Sequence, residues 1–518
     1  MPSTPEATNC GGKGCVFPLP FGTGGGSSVN GMMYVRGCSG DFDRWCALVD
    51  DPRWCYTNAL NYFKRSEKNF EIISRYHSAL GPMSVSWPPH NYGTAKAFEG
   101  AFAAKGYSRV DDINGPGQIG YSRIQTTTGC GKRSSTYRAF VEPALKSNRP
   151  GLTVLTYADV QKVLLREGTN AGDPPLAYGV EYTDAGGVDR TAYAAKEVII
   201  TAGALHSPQI LMCSGIGPCS DIEAANLRCW VDRPGVGQNL QDHPRPTAME
   251  FKCPLCDVDW NTRKRDLNEY DLLHLGALTE AAILQLTAFV NTGIEGAGLP
   301  EKCPDLQIIL LGATESKDGE RCMDNDVWRH NIVKWLPAVL HPESRGEVTL
   351  DPSDPFGRPV VTLGYFTSQN DVKVAIRGLE MGVAMADELA KRGLILDRTP
   401  IPPCRDFEFA TREYWECAIN ATSYTLWHFS GTCSMGKITN PLAVVDSSLR
   451  VIGVDGLSVC DASVMPFVTS GNTNAPTCMI AEQCADLVRA RHGLPEYRES
   501  PFPEPPFQDP PFSEPPFG

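Results

Sequence analysis

The sequence predicts an α/β fold built on a doubly wound sheet, joined to a second, α+β domain with an antiparallel sheet. Residues 196–217 carry the pattern of a short buried strand, a glycine turn and a helix, which is the unit repeated in doubly wound sheets. Residues 250–397 mix strand patterns with amphipathic helices, which favours an antiparallel sheet of its own. A chain of 518 residues is long enough to form two or more packed units.

Composition and charge restrict the partners. The chain has 21% charged and 42% hydrophobic residues, as is common in globular proteins, and a formal net charge of −13. Because no run of Lys or Arg could gather phosphates, we expect no nucleic-acid partner and a substrate that is neutral or cationic. No apolar run approaches the ~18 residues of a membrane-spanning helix. Residues 1–9 are polar and lack the apolar core of a signal peptide.

Cysteine content bears on the compartment. The 19 cysteines are many for a cytosolic enzyme, and because the number is odd, at least one is free if all others pair. Cys253 and Cys256 form a lone C-x-x-C, which favours a local disulfide or a plain loop over a zinc site. A glycosylation acceptor pattern begins at Asn420. Together these features slightly favour an extracellular location, on the condition that a signal peptide lies upstream of Met1.

After an irregular lead-in through Pro20, residues 22–37 are predicted to form a glycine-rich loop that runs into a short helical segment. Such a loop lets backbone amides approach a bulky ligand closely, and its apolar continuation argues against a flexible linker. Residues 41–69 predict packed helices with four core aromatic residues: Trp45, Trp54, Tyr62 and Phe63. The G-x-G-x-x-G letters at 115–120 lack a preceding strand and contain a proline, so we interpret them as a surface turn.

Strands are predicted at 152–156 and 160–165, and a short buried strand of the parallel-sheet type is predicted at 197–203. The last of these leads directly into a helix, with Ser207 as its expected N-cap, Pro208 as its first residue and Gly215 as its end. This order places Gly203 where a ligand would meet the carboxyl end of the sheet.

In the second domain, strand patterns occur at 308–311, 346–350 and 359–363, and a long amphipathic helix is predicted at 371–391. Beyond it, His428 lies in an aromatic stretch just before a Gly/Ser/Thr loop. A single histidine in such a setting is more often a packed, hydrogen-bonded residue than a catalyst.

The segment 457–492 predicts a strand that ends at Asp461, a polar loop, and a helix with Pro476 in its first turn. A rigid helix N-terminus offers free N–H groups and a partial positive charge, which suit a ligand that is anionic or becomes so. An ordinary helix start is the alternative. The face of this helix that is predicted to be buried comprises Ile480, Cys484, Leu487 and Val488. The repeated Pro-Phe and acidic residues at 501–518 favour a solvated tail over a partner-binding motif.

These stretches, in this order, resemble the glucose–methanol–choline (GMC) oxidoreductase family of FAD-dependent alcohol dehydrogenases and oxidases. The resemblance covers nearly all of residues 20–492 and is strongest to the glucose-dehydrogenase-like and choline-dehydrogenase-like branches. It is carried by Gly24–Gly37, Gly203–Gly217, Pro234–Pro244, Arg345–Val348, His428–Gly436 and Asp461–Glu482. It implies a truncated FAD-binding region at 1–245, a substrate-binding domain at 246–400, a region completing the FAD domain and active site at 401–493, and a tail at 494–518.

The resemblance also implies chemistry for particular residues. His428 would be the base that takes the hydroxyl proton of a small alcohol or sugar, while the neighbouring carbon passes a hydride to N5 of the flavin. Asn472 would hold the substrate oxygen, since an amide cannot act as a base. An electron acceptor is the implied second substrate.

The residues implied to bind FAD are Gly26, Ser27, Asn30, Gly31, Val160, Asp461, Ala462, Asn472 and Thr473. The first four would lie along the flavin, and Val160 would contact the adenine side through its backbone. Asp461 and Ala462 would lie at the pyrophosphate and ribityl region, and the helix after Asn474 would direct its dipole at the flavin.

One part of the family pattern is missing. The family begins with a strand, a G-x-G-x-x-G loop and a helix, followed by an acidic residue that binds the adenosine ribose, and this sequence starts where the family finishes that unit. We therefore expect that the true N-terminus lies upstream. The alternative is a short, flavin-free scaffold or binding protein without catalysis. A flavin-bound lyase without net redox chemistry is a third alternative.

Overall fold

The computed structural model describes residues 3–4, 14–88, 93–147, 149–253, 260–279, 283–294, 302–313 and 332–495. Cys256 and the Pro/Phe repeat at 501–518 lie outside these residues. The helices are α1 (Ser39–Val49), α2 (Tyr56–Ser66), α3 (Gly93–Ala104), α4 (Glu142–Lys146), α5 (Gly203–Cys213), α6 (Cys219–Ala224), α7 (Trp260–Leu273), α8 (Gln369–Ala390), α9 (Arg412–Thr422) and α10 (Asn474–Arg491). No helix in this part of the chain is long and apolar enough to cross a membrane.

The strands are β1 (Glu67–Asn69), β2 (Met83–Val85), β3 (Gly120–Arg123), β4 (Thr128–Gly129), β5 (Lys132–Arg133), β6 (Asp159–Arg166), β7 (Leu176–Thr183), β8 (Asp189–Tyr193), β9 (Val198–Ile200), β10 (Ile216–Gly217), β11 (Val231–Asp232), β12 (Met249–Lys252), β13 (Ile283–Val290), β14 (Leu306–Ala313), β15 (Ile332–Val339), β16 (Glu347–Thr349), β17 (Val360–Thr362), β18 (Ile395–Leu396) and β19 (Leu457–Val459).

The largest sheet has the order β18-β12-β15-β14-β13-β3, and its neighbouring strands are antiparallel. Alternate side chains of β14 point to opposite faces, as the pleat of a strand requires. Leu306, Ile308 and Leu310 belong to the main apolar core, into which α8 also packs, so Gln307 lies on the other face. The predicted antiparallel sheet is therefore confirmed. Its strand β3 comes from outside residues 246–400, and the domain limits stay a prediction.

The parallel part of the fold is centred on β9 and β19, which pair in register from Leu457 with Val198 to Val459 with Ile200. The strand β9 leads into α5, and β19 leads through a loop into α10. Both helices share a second apolar core with α1 and α2. Parallel strands that continue into packed helices confirm the predicted α/β class. A separate meander of β6, β7 and β8 is antiparallel.

Several predicted elements are present close to their predicted positions. The helix predicted at 371–391 is α8, and the helix after the C-terminal loop is α10, with Pro476 in its first turn. Of the sequence at 115–120, Gly115 and Pro116 lie in a turn and Gly120 begins β3. The strands predicted at 160–165, 197–203, 308–311, 346–350 and 359–363 correspond to β6, β9, β14, β16 and β17. Of the predicted core aromatic residues, Trp45, Trp54 and Phe63 are fully buried, and Tyr62 packs partly buried against the same core.

The helix predicted to start at Pro208 begins five residues earlier, at Gly203, so the predicted N-cap Ser207 is wrong. Pro208 therefore lies inside the helix, where it cannot donate a hydrogen bond to the carbonyl of Ala204. The hydroxyl of Thr432 donates to that carbonyl instead, at 2.6 Å. A partner distant in the sequence thus compensates a proline that local rules place at a helix start.

Two other local predictions are wrong. Residues 152–156 form no strand, because their side chains are exposed and no described strand pairs with them. An apolar run becomes a strand only where another strand satisfies its backbone hydrogen bonds. The helical segment predicted to follow the glycine-rich loop is a single 3-10 turn inside it, Gly25–Ser28. After this turn, Met32 has a positive φ of 62°, and Met33 forms an antiparallel bridge with Thr126, so the chain continues in an extended conformation.

Disulfides join segments that are near and far in the sequence. The described pairs are Cys38–Cys303, Cys46–Cys55, Cys219–Cys229, Cys404–Cys417 and Cys460–Cys484. Cys253 is disulfide-bonded as well. Cys130, Cys213, Cys433 and Cys478 are free. The first pair spans 265 residues and ties the start of α1 to the segment before β14.

Removal of the Cys38–Cys303 bond by serine substitution at both positions should lower the free energy of unfolding by about 5 kcal/mol, because the unfolded chain loses a long closed loop. Urea unfolding of the oxidised protein measures this change. The control is Cys130→Ser, which replaces an exposed free thiol and should leave the midpoint unchanged. Equal midpoints for the double variant and the unsubstituted protein would contradict the prediction.

Candidate active site

His428 lies on a segment that runs antiparallel to residues 240–245. Bridges join Gln241 with Ser430 and Arg245 with Tyr424. Because the second segment is two residues longer between these bridges, it bulges at its centre. Trp427, just before the histidine, has a φ of +60°, a conformation that needs support from its surroundings.

The carboxylate of Asp242 holds the two segments together. It accepts hydrogen bonds from the backbone N–H groups of His243 and His428, at 2.8 and 2.9 Å. The hydroxyl groups of Tyr365 and Thr425 also donate to it. Burial raises the pKa of Asp242, and the four donors act against this rise. The backbone is thus fixed at both histidines.

The ring of His428 lies between two polar partners. Its Nδ1 is 2.8 Å from Nδ1 of His243, and its Nε2 is 3.2 Å from Nδ2 of Asn472. The side chain is buried, and burial, together with the neighbouring His243, lowers the pKa of His428 well below 6.5. The imidazole is therefore neutral at neutral pH and has a lone pair that can accept a proton.

The surrounding donors and acceptors determine which ring nitrogen carries the proton. An amide nitrogen can only donate, so Asn472 Nδ2 requires a lone pair on Nε2 of His428. The neutral His428 then carries its proton on Nδ1 and donates it to His243 Nδ1. His243 in turn carries its proton on Nε2, where the carbonyls of Leu340 and Thr469 interact with the ring, although no hydrogen bond of ordinary geometry forms. The basic nitrogen of His428 thus faces Asn472.

The loop that carries Asn472 is fixed by the buried carboxylate of Asp41. This carboxylate accepts hydrogen bonds from Ser470 N at 2.7 Å, Ser470 Oγ at 2.9 Å and Cys38 N at 2.9 Å. Burial raises the pKa of Asp41 to about 6. Because the Ser470 hydroxyl donates to Asp41, its oxygen accepts from Nε2 of His341, 2.8 Å away.

The glycine-rich loop predicted to lie along the flavin uses its polar side chains internally. Ser27 Oγ donates to the carbonyl of Gly24 at 2.6 Å and accepts from Thr136 N at 2.9 Å. Asn30 Oδ1 accepts from Nη1 of Arg133 at 2.8 Å. These contacts fix the shape of the loop and leave its backbone as the surface available to a ligand.

Asp461 also uses its side chain within the protein. One carboxylate oxygen accepts from Gly203 N at 2.8 Å and from Ser207 Oγ at 2.5 Å, and the other accepts from Ser463 N at 2.8 Å. It thereby joins the carboxyl end of β19 to the start of α5. Ala462 opens the 3-10 turn that follows.

The backbone around these residues fits a large anionic cofactor. A Cβ added to Gly25, Gly26 or Gly203 would meet no atom of the described residues within 4 Å, so each has open space beside its backbone in this part of the structure. At the N-terminus of α10, Thr473 makes no side-chain cap, which leaves N–H groups at the positive end of the helix dipole. Exposed amides and an uncapped helix start are features that bind a pyrophosphate or another anion.

The structure brings some of the predicted site residues together. His428 and Asn472 are in contact, Thr473 directly precedes α10, and Ala462 follows Asp461 at the end of β19. Val160 lies on the edge strand β6 of the meander. The predicted roles of the FAD-binding residues stay predictions. In the described part of the chain, no group of three or more His, Cys, Asp or Glu side chains could hold a metal ion.

Sequence reasoning assigned no role to several residues of the site. Asp242 and His243 lie inside the motif Pro234–Pro244, and two adjacent titratable residues in a motif are a signal that could have found them. Asp41 and Gln307 have no such local signal, because their partners lie 429 and 165 residues away in the chain.

Acidic pH should destabilise the protein through its buried histidines. Burial lowers the pKa values of His243 and His341 to about 3 and that of His428 well below 6.5. Below pH 6.5 the unfolded chain binds protons at these rings and the folded chain does not, so the free energy of unfolding falls as the pH drops, by about 1.4 kcal/mol per pH unit for each histidine. Groups with raised pKa values oppose part of this loss, because they bind a proton more strongly in the folded chain. Burial raises the pKa of Asp41 to about 6 and also raises that of Asp242, and although burial acts to lower the pKa of His77, the carboxylates of Asp112 and Glu67 raise it.

Urea unfolding at pH 7, 6 and 5 measures this dependence. The variant His341→Gln keeps a donor toward Ser470 but cannot titrate. Unfolding of this variant at pH 5 should therefore take up about one proton fewer, and its free energy of unfolding should depend less steeply on pH. Stability that stays constant or rises between pH 7 and 5 would contradict the prediction.

Two family models match the chain, and both describe a GMC oxidoreductase. The N-terminal model matches residues 4–245, and the C-terminal model matches residues 342–481.

Known proteins align with most of the chain. Glucose dehydrogenase (FAD, quinone) of Drosophila pseudoobscura pseudoobscura is 37% identical over 491 residues, which are 92% of this chain and 75% of that protein. Oxygen-dependent choline dehydrogenase of Acinetobacter baumannii (strain AYE) is 32% identical over 496 residues, which are 92% of this chain and 83% of that protein.

Solved structures have the same fold. Pyridoxine 4-oxidase from Mesorbium loti superposes with a TM-score of 0.78 at 26% identity, covering 95% of this chain and 88% of that one. An FAD-dependent oxidoreductase from Chaetomium thermophilum superposes with a TM-score of 0.82 at 22% identity, covering 96% of this chain and 90% of that one.

Proposed function

Because the chain belongs to the GMC oxidoreductase family, we propose that it binds FAD and oxidises the CH–OH group of a small alcohol or sugar, with His428 as the base. The observation that carries this proposal is the buried, neutral His428, whose Nε2 lone pair meets the amide of Asn472 at 3.2 Å. A base and an oxygen-binding amide side by side are what the removal of a hydroxyl proton requires.

The two side chains have different tasks. A substrate hydroxyl that displaces the direct contact between them donates its proton to Nε2 of His428. Its oxygen accepts a hydrogen bond from Nδ2 of Asn472, which orients the carbon that bears it. Bound FAD supplies the acceptor for the hydride that leaves this carbon. The alcohol thus loses one proton and one hydride and becomes a carbonyl compound, and a separate electron acceptor must remove the two electrons.

His243 has a positioning role in this proposal. It accepts the Nδ1 proton of His428, which keeps the basic lone pair on Nε2. When Nε2 gains the substrate proton, the same hydrogen bond is retained and becomes charge-assisted, which favours the imidazolium. Asp242 lies against the backbone of both histidines and offers a negative charge near the new positive one.

The cofactor would be held mainly by backbone. The loop of Gly26 and Gly31 and the turn at Gly203 offer amides that a large ligand can approach. Ala462 and the uncapped start of α10 after Thr473 suit its anionic groups.

We also propose that the protein works in an oxidising compartment. Five disulfides among the described residues support this, because such bonds persist in secreted proteins and are rare in the cytosol.

The variant His428→Ala tests the base. It should retain the yellow colour of bound FAD, while the rate of flavin reduction by the alcohol falls by about 10²- to 10⁴-fold. Anaerobic stopped-flow absorbance measures that rate. The control is His492→Ala, which removes a histidine at the end of α10 that contacts Glu197 and should reduce flavin normally. If the flavin of His428→Ala is still reduced at the normal rate, His428 is not the base. A colourless protein that takes up no added FAD favours the alternative of a flavin-free scaffold or binding protein.

A pair of variants tests the positioning role of His243. In His243→Leu the Nδ1 proton of His428 loses its acceptor, so the tautomer with a proton on Nε2 gains population and kcat should fall by about 10- to 100-fold with little change in KM. In His243→Asn the side-chain oxygen can occupy the place of Nδ1, which should restore most of the rate. Equal rates in the two variants would contradict the role.

A further inference from the structure

Gln307 connects the antiparallel sheet to the candidate active site. It lies on β14, on the face of the sheet that is turned away from α8, and it is fully buried. Its Nε2 is 3.4 Å from Oδ1 of Asn472 and 3.3 Å from Oγ1 of Thr287 on β13. No other described side chain of the large sheet has a recorded hydrogen bond to Asn472 or His428.

The orientation of the Gln307 carboxamide follows from Thr287. The Thr287 hydroxyl donates its proton to the carbonyl of Ile308, at 2.8 Å. Its oxygen is therefore the acceptor toward Gln307, which must present its nitrogen. The same nitrogen meets Oδ1 of Asn472, so the Asn472 amide presents its own nitrogen to His428. The sheet thus determines the orientation of the amide on which the tautomer of His428 depends.

This arrangement leaves one strong acceptor unused. Oε1 of Gln307 is buried and has no hydrogen-bond partner among the residues that the structure describes. It shares its carbon with the nitrogen that contacts Oδ1 of Asn472, so only the Asn472 amide separates the Gln307 carboxamide from His428. An acceptor buried without a partner costs free energy, and in a binding site a donor on the ligand can recover that cost.

The face of the sheet around Gln307 carries both polar and apolar side chains. Thr287 and Lys334 lie on the same side as Gln307 and are buried. Ile309 and Leu336 lie on this side as well and pack against apolar residues of other segments.

Resting on the proposed function, we infer that Gln307 Oε1 accepts a hydrogen bond from a second hydroxyl group of the substrate, one that is not oxidised. The substrate class is then a sugar or another polyhydroxy alcohol. A monohydric alcohol has no second hydroxyl, and the quaternary ammonium group of choline has no N–H to donate to a carbonyl oxygen. Gln307 is therefore a specificity-determining residue as well as a positioning residue for Asn472.

The test compares the FAD-loaded full chain with Gln307→Met on D-glucose, each of its monodeoxy analogues, benzyl alcohol and choline. In the unsubstituted protein, kcat/KM should be highest for D-glucose, and one deoxy analogue should lose about 10- to 100-fold. In Gln307→Met that loss should disappear. Because the altered support of Asn472 slows the oxidation of every substrate alike, it cancels in the ratio of kcat/KM for D-glucose to kcat/KM for the deoxy analogue. This ratio therefore reports only the contact of Oε1 with the missing hydroxyl.

A matched control is Gln483→Met, at a buried glutamine on α10 to which we assign no role in the site, and its ratio should equal that of the unsubstituted protein. Thermal unfolding of both variants checks that they fold. A ratio unchanged in Gln307→Met overturns the inference, and so does efficient oxidation of choline or benzyl alcohol in preference to D-glucose, although the proposed function then stands. A protein that binds no FAD and oxidises none of these compounds overturns the proposed function and the inference together.

Discussion

The buried carboxylate of Asp242 is the interaction on which the site depends. It receives the backbone N–H groups of His243 and His428 and the hydroxyls of Tyr365 and Thr425. A buried carboxylate is tolerated only while its donors remain in place, and loss of one donor leaves an uncompensated charge. The two chain segments are therefore held at one separation, which lets the imidazole rings meet through their Nδ1 atoms.

A second set of contacts aligns the opposite side of the site. Asp41 holds the loop before Asn472 and accepts the N–H of Cys38. Cys38 is bonded to Cys303, which lies four residues before Gln307. Cys38 thus links the loop that carries Asn472, through Asp41, to the strand that carries Gln307, through the disulfide with Cys303. The two halves of the molecule contribute different parts of one hydrogen-bonded chain, from Thr287 on the sheet to His243 beside the base.

The sequence was most informative where its signals are local. The amphipathic period of α8 and the proline in the first turn of α10 predicted helices that the structure contains. Local rules failed where a distant partner changes the outcome. Pro208 lies inside a helix because the Thr432 hydroxyl replaces its missing donor, and residues 152–156 form no strand because no described strand pairs with them.

The sequence by itself determined the α/β class and the antiparallel second sheet, and the resemblance of its motifs to a known family implied His428 and Asn472 as the candidate pair. Period, turn residues and motif order are properties of neighbouring residues, so they can be recognised without coordinates. Only the tertiary structure decided that His243 sets the tautomer of His428 and that Gln307 orients Asn472. These hydrogen bonds join residues 185 and 165 positions apart. Their direction depends on which donor meets which acceptor in space, and folding alone brings those atoms together.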